Sequence, residues 1–300
     1  MVSVMKTSLF ATILILIAAC SNERSVPQRV FNEDYFRKIS SNDIKLQDPI
    51  PGEWRYYHTE DSQTLAKYIK LNPLKPVDKK SSLYILPIGN FTVNQQKIIE
   101  LTAEYLEAFF QLPVIIQSAI DDDIIPDSAR RTREDGRVQF NSLYILRNIL
   151  KAKKPDDGYA LMAITANDLY PSDDWNFVFG QASYADRVGV SSIYRLGPQS
   201  FNKQDFILCL RRIINIASHE IGHMFSISHC IWAKCVMNGA NSLYETDESP
   251  NRLCTECQRK LYWNIMFDPG KRLNEIDSFL KQNELTADHQ LIEKDVHLLK

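Results

Sequence analysis

The sequence predicts a mixed α/β domain, α+β or α/β-like in class, built on a twisted sheet and closed by one long helix that carries the chemistry. Three observations predict it. Short apolar, β-rich runs alternate with longer runs of helical period between Ser82 and Phe225. A hydrophobic content of 44% against 24% charged residues supplies the core of an ordinary globular protein. From about Lys203 to Phe225, the apolar positions Phe206, Leu210, Ile213, Ala217, Ile221 and Met224 keep a 3.6-residue period.

The first residues are of another kind. MVSVMKTSLFATILILIAAC holds one lysine, an apolar run from Leu9 to Ala19 and then Cys20. That run is too short to span a bilayer comfortably and has the build of a secretory h-region. Ile17-Ala18-Ala19-Cys20 resembles the lipobox of bacterial lipoproteins, which implies a signal peptide over 1–19 and lipidation of Cys20. An ordinary signal peptide cut near Ala19 is the alternative. The expectation is an exported chain anchored by lipid to a bacterial membrane. Ser21 and Asn22 place no aspartate beside the cysteine, which favours the outer membrane. Residues 20–50 are polar without sustained period and read as a tether. Residues 51–82 form a mixed N-terminal extension in which Pro51, Pro73 and Pro76 argue against long helices.

The main domain is expected over 83–270. SLYILPIG (82–89) reads as a buried strand, and NQQKIIELTAEYLEAFF (94–110) as a helix with Ile98, Leu101, Tyr105 and Phe109 on one face. LPVIIQSA (112–119) reads as a strand and FNSLYILRNILKA (140–152) as a helix. YALMAIT (159–165), NFVFGQA (176–182) and VGVSSIYRL (188–196) are β-rich runs divided by turn residues such as PSDDW. The order is β-α-β-α-β-β-β-α. A polar helical tail, 271–300, follows and is assigned no function.

The long helix ends in HEIGHMFSISHC, residues 219–230, which gathers three of the six histidines. On a helix, His219 and His223 leave the same face, with Glu220 between them. This is the H-E-x-x-H arrangement, in which two histidines bind zinc and the glutamate acts on a bound water. His229 lies six residues further, where a continuous helix would carry it off that face. A turn near Ser226–Ser228 must therefore swing it back. Three imidazoles then leave a fourth zinc position open, as catalytic sites require. Such zinc brings the pKa of its water to about 7, and Glu220 is placed to act as general base.

Five cysteines remain beside Cys20. Cys230, Cys235, Cys254 and Cys257 fall within 28 residues at CxxxxC and CxxC spacing, which suits a closed tetrahedral zinc site. A redox CxxC at Cys254 and Cys257, or disulfides formed after export, are the alternatives. Cys209 lies about three helical turns before Glu220 and reads as core.

HExxHxxxxxHCxxxxCxM followed by CxxC resembles the signature of the archaemetzincin (archaelysin) family of zinc metallopeptidases, a branch of the metzincins. The likeness runs from Leu83 to Tyr262 and takes in YALMAIT, ANDLY (166–170) and NFVFGQA. It implies a zincin/metzincin fold, a sheet packed on an N-terminal helix and the HExxH helix, with a C-terminal segment bound to zinc through four cysteines. It implies two zinc ions, one catalytic on His219, His223 and His229, the other structural on Cys230, Cys235, Cys254 and Cys257. It makes Glu220 the general base and Met237 the methionine of the turn beneath the site. Peptides or proteins would be substrates, short peptides cut by an aminopeptidase among them, laid along an edge strand such as NFVFGQA. Ser226 stands where metzincins place glycine. If the backbone there keeps positive φ, serine costs about 1 kcal/mol.

A net charge of −2 without a long basic run gives no reason to expect nucleic acid. Two rival functions stay open on sequence alone: a non-catalytic zinc-binding lipoprotein with a peptidase fold, and a thiol-redox protein built on Cys254 and Cys257.

Overall fold

The structure, a computed structural model, describes residues 32–77, 80–198 and 202–299. In chain order, α1 (Glu33–Ile39), α2 (Trp54–Tyr57) and α3 (Leu65–Lys70) precede β1 (Ser82–Ile88), α4 (Val93–Phe110) and β2 (Val114–Ile116). Then come β3 (Arg130–Thr132), β4 (Val138–Asn141) and a helical stretch of three parts: α5 (Ser142–Tyr144), a widened π turn at Ile145–Leu150, and α6 (Lys151–Lys153). Strands β5 (Gly158–Thr165), β6 (Asp168–Tyr170), β7 (Gly180–Ser183) and β8 (Val188–Ser192) lead to α7 (Lys203–Met224). Helices α8 (Leu243–Glu248), α9 (Thr255–Ile265), α10 (Pro269–Gln282) and α11 (Thr286–Leu299) complete the chain.

The main sheet has the order β2-β1-β5-β8-β7, parallel except for the antiparallel edge strand β7. Central strands covered on both faces need continuous apolar sequence. This is why β1 is buried from Leu83 to Ile88 and β5 over all its length. Tyr84, Leu86 and Ile88 join Leu161, Ala163, Val188 and Val190 on one face, under Ile145, Leu146, Ile149 and Leu150 of the helix that follows β4. α7 packs against β7, β8 and α4. It starts with a capping box, in which Asn202 and Asp205 satisfy each other's main-chain N–H groups.

The mixed α/β class and the element order agree with the sequence reading, with differences at the margins. Residues 112–119 contribute only Val114–Ile116 as strand, and 176–182 only from Gly180 onward. A second sheet, β3-β4-β6, was not expected. Its strands are three or four residues long, too short for alternation to show.

Two stretches read as appendages are part of the packed body. In the expected tether, Glu33–Ile39 is helical, and Tyr35, Phe36 and Ile39 of this helix are buried. The expected polar tail is two amphipathic helices, with Leu273, Ile276, Phe279 and Leu280 of α10 inside. Both close around Arg252. This buried guanidinium donates to Asp295 at 2.6 Å, to Asp43 at 2.7 Å and to the Ile39 carbonyl at 3.1 Å. A buried cation requires such partners, and these came from polar-looking segments. Residues 1–31, with the expected signal peptide and the expected lipidation site Cys20, lie outside the described residues.

Candidate active site

α7 carries His219 and His223 one turn apart, and their Nε2 atoms approach to 3.0 Å. The His219 Nδ1 lies 2.8 Å from the Val236 carbonyl and the His223 Nδ1 2.7 Å from the Ile227 carbonyl. Carbonyls only accept, so each Nδ1 carries the proton and each Nε2 presents a lone pair. Burial pushes His219 down to about 3 and His223 well below its ordinary value, which keeps both imidazoles neutral. Two facing lone pairs repel unless a cation sits between them. A tetrahedral zinc with bonds of about 2.0–2.1 Å sets its ligands roughly 3.3 Å apart, so the residues fit the ion.

The expected turn is present and brings His229 back, so that one ring nitrogen from each histidine lies within 4.8 Å of the others. The helix ends in a Schellman motif: Ile227 N donates to Gly222 O at 3.1 Å, and Ser226 N to His223 O at 2.8 Å. Ser226 occupies the left-handed position at φ 64°. Its carbonyl accepts from Gln63 Nε2 at 2.9 Å, and Ser228 N donates to Gln63 Oε1 at 3.1 Å. Ser226→Gly should therefore raise unfolding free energy by about 1 kcal/mol or less, because the relieved φ strain is offset by glycine's greater unfolded-state freedom. Denaturant unfolding of the zinc-loaded protein measures it, and a loss of stability would show that the serine makes contacts worth more than its strain.

Glu220 lies between the two helical histidines, and burial pushes its carboxyl up to about 8. Two glycines allow close packing here, one against Glu220 and one against Met237. A Cβ on Gly180 would lie 2.7 Å from Glu220 Oε1, so the edge strand can run directly past the carboxyl only without a side chain. A Cβ on Gly222 would overlap the Met237 sulfur, which seals the underside of the motif helix. Met237 is fully buried there. Above lies a cleft of about 670 Å³ with Trp54, Trp175, Phe177 and Phe179 on its walls and β7 along one edge.

The four cysteines gather immediately beside this centre. Their sulfurs all lie within 4.8 Å of one another, and Cys230 and Cys254 are 3.6 Å apart. That is a non-bonded distance, close to the edge of a tetrahedral zinc thiolate with bonds of about 2.3 Å. Backbone N–H groups of Cys254 and Met237 point at the Cys235 sulfur, at 3.2 and 3.5 Å. Hydrogen bonds from Cys235, Cys254 and Cys257 pull the Cys230 thiol well below its ordinary value. Cys209 is buried in α7, where desolvation pushes it up to about 12.

Peptidase family M54 matches residues 131–262. Archaemetzincin-2 of Pongo abelii is 31% identical, over 89% of this chain and 82% of its own length. The chain belongs to the archaemetzincin family. Archaemetzincin of Pyrococcus abyssi is 36% identical over 43% of this chain and 69% of its own. The crystal structure of archaemetzincin from Methanopyrus kandleri shares the fold, with a TM-score of 0.50 and 23% identity, over 63% of this chain and 97% of that one. As an archaemetzincin of peptidase family M54 the chain is a zinc metallopeptidase, a hydrolase of peptides or proteins.

Several residues at the site of this archaemetzincin were not anticipated from the sequence. Glu60 reaches His229 Nδ1 at 2.5 Å, and Trp54 meets the same ring edge-on. The Tyr184 oxygen lies 2.8 Å from His223 Nδ1. Burial, with the charges of Glu220 and Glu60 nearby, pushes that phenol up, so it stays protonated. A single Glu, Trp or Tyr outside a motif carries no spacing signal.

Proposed function

We propose that this archaemetzincin uses two zinc ions, one on His219, His223 and His229 at the reaction centre, and one on Cys230, Cys235, Cys254 and Cys257 as a structural knot. What supports it most is the convergence of three imidazole nitrogens beside Glu220 at the floor of a strand-edged cleft. Zinc on the imidazoles supplies Lewis acidity, making a water acidic near neutral pH and polarising a carbonyl oxygen. Glu220 takes the proton of the attacking water and returns it to the leaving amine. β7 leaves one row of main-chain groups unpaired by β8, and a peptide backbone can pair there with little demand on its side chains. Met237 and Gly222 hold the floor rigid, so the motif helix keeps its depth.

An aminopeptidase acting on short peptides is the finer form of this proposal. A strong chelator should abolish hydrolysis and added zinc should restore it, and free-amine peptides should be cut in preference to N-blocked ones. Equal cleavage of both would make the protein an endopeptidase. A zinc-loaded protein inert toward both would favour the non-catalytic alternative.

The proposal extends to location: export, signal removal and lipidation at Cys20, with the peptidase held on a bacterial membrane. The apolar run ending in Ile-Ala-Ala-Cys motivates it. Mass spectrometry of the mature protein should find acyl groups on Cys20, and Cys20→Ala should abolish them together with processing at that site. A mature N-terminus elsewhere without lipid would refute the anchor.

A further inference from the structure

His229 differs from its two companions in what stands behind it. His219 turns its Nδ1–H toward a main-chain carbonyl, and His223 toward a carbonyl and the Tyr184 hydroxyl, whereas His229 faces the carboxylate of Glu60, 169 residues earlier in the chain. The second oxygen of that carboxylate, Oε2, is buried and makes no hydrogen bond among the described residues, and besides His229 the Trp54 side chain helps hold the carboxyl below its ordinary value. Three residues on, Gln63 grips the turn that carries His229 at both Ser226 and Ser228. Trp54 fills the space over Gly239 and meets the His229 ring at 5.3 Å between centroids.

We propose that Glu60 is a positioning residue of the metal centre, holding the His229 ring with its proton on Nδ1 and its Nε2 lone pair aimed at the ion, with Gln63 as its support. The proposal rests on the reading that the three histidines hold zinc. A carboxylate behind an imidazole raises its basicity and fixes its orientation. His229 needs this more than the others. His219 and His223 are set by the helix, while His229 sits beyond the turn, where only contacts from elsewhere can fix the ring. The N-terminal extension thereby supplies part of the metal site.

The test compares the full-length protein with Glu60→Ala and Glu60→Gln. Each is stripped of metal and titrated with zinc against a chromophoric chelator, and each is also loaded with Co(II) for absorption spectroscopy. Glu60→Ala should weaken one of the two sites by about 10–100-fold and shift the ligand-field bands of cobalt at that site. The thiolate charge-transfer band of the cysteine site should stay unchanged. Glu60→Gln keeps the acceptor oxygen and should recover part of the affinity, and it carries the test if the alanine variant does not fold. Wild-type affinity and an unaltered cobalt spectrum in both variants would overturn the proposal, even with a lower thermal midpoint. A wild-type protein that binds metal only at its cysteines would instead overturn the three-histidine reading, and this inference with it.

Discussion

Replacing Glu220 with alanine should leave a folded, zinc-loaded protein whose peptide hydrolysis is about 10²–10⁴-fold slower than wild type. The size of the effect follows from geometry. Glu220 is only 6% exposed and lines the same cleft as the three histidines, yet it is not one of the three that gather. Its removal takes away the proposed proton acceptor and leaves the proposed metal ligands. In the metal-free protein burial raises the carboxyl from 4.5 to about 8. A raised carboxyl binds its proton more tightly in the folded state, so the metal-free wild type should lose stability as pH rises from 4.5 to about 8. Glu220→Gln lacks this titration and should become the more stable of the two across that window. Steady-state hydrolysis at matched zinc content, and thermal unfolding of the metal-free proteins across pH, read both effects. Equal activity in variant and wild type would remove Glu220 from the reaction.

The second large effect is on folding. Cys254→Ser should lower the thermal midpoint far more than His229→Ala does, and should take activity with it. Structural zinc in small thiolate sites is worth roughly 10–16 kcal/mol of binding, comparable with the total stability of about 5–15 kcal/mol of a typical domain. Cys254 caps α9, and Cys235 stands two residues before Met237. Cys230 N donates to Met237 O at 2.7 Å, and the Val236 carbonyl orients His219. Loosening the cysteine cluster therefore loosens the turn beneath the three histidines. Zinc content and thermal unfolding of the three proteins decide the matter. Equal small losses, with one zinc per wild-type chain, would mean that the cysteines hold no ion.

How much of this was readable in the sequence depends on how local each signal is. The H-E-x-x-H helix, the return of His229 and the clustering of four cysteines are encoded within 39 consecutive residues, His219 to Cys257. Helical period and ligand spacing act over such distances. Buried parallel strands announce themselves the same way, as β1 and β5 do. The missed features depend on remote partners. Asp43 and Asp295 look like solvated charges until Arg252 is buried between them. Glu60 is one acid in a polar stretch, and its importance comes from a ring far along the chain. The tail seemed polar because α10 and α11 each bury only one stripe, against α4 and α1.

The buried Arg252 has a consequence for the life of the chain during synthesis. It ties Asp43, among the first described residues, to Asp295, near the last, and Asn42 spans 253 positions to reach Asp295 directly. Pairings this distant close late and slow a fold's completion. Glu60 cannot meet His229 until residue 229 has left the ribosome, nor α1 meet α11 until residue 299 has. The shell of partners around Arg252 is therefore closed only once α11 docks and brings Asp295 to it.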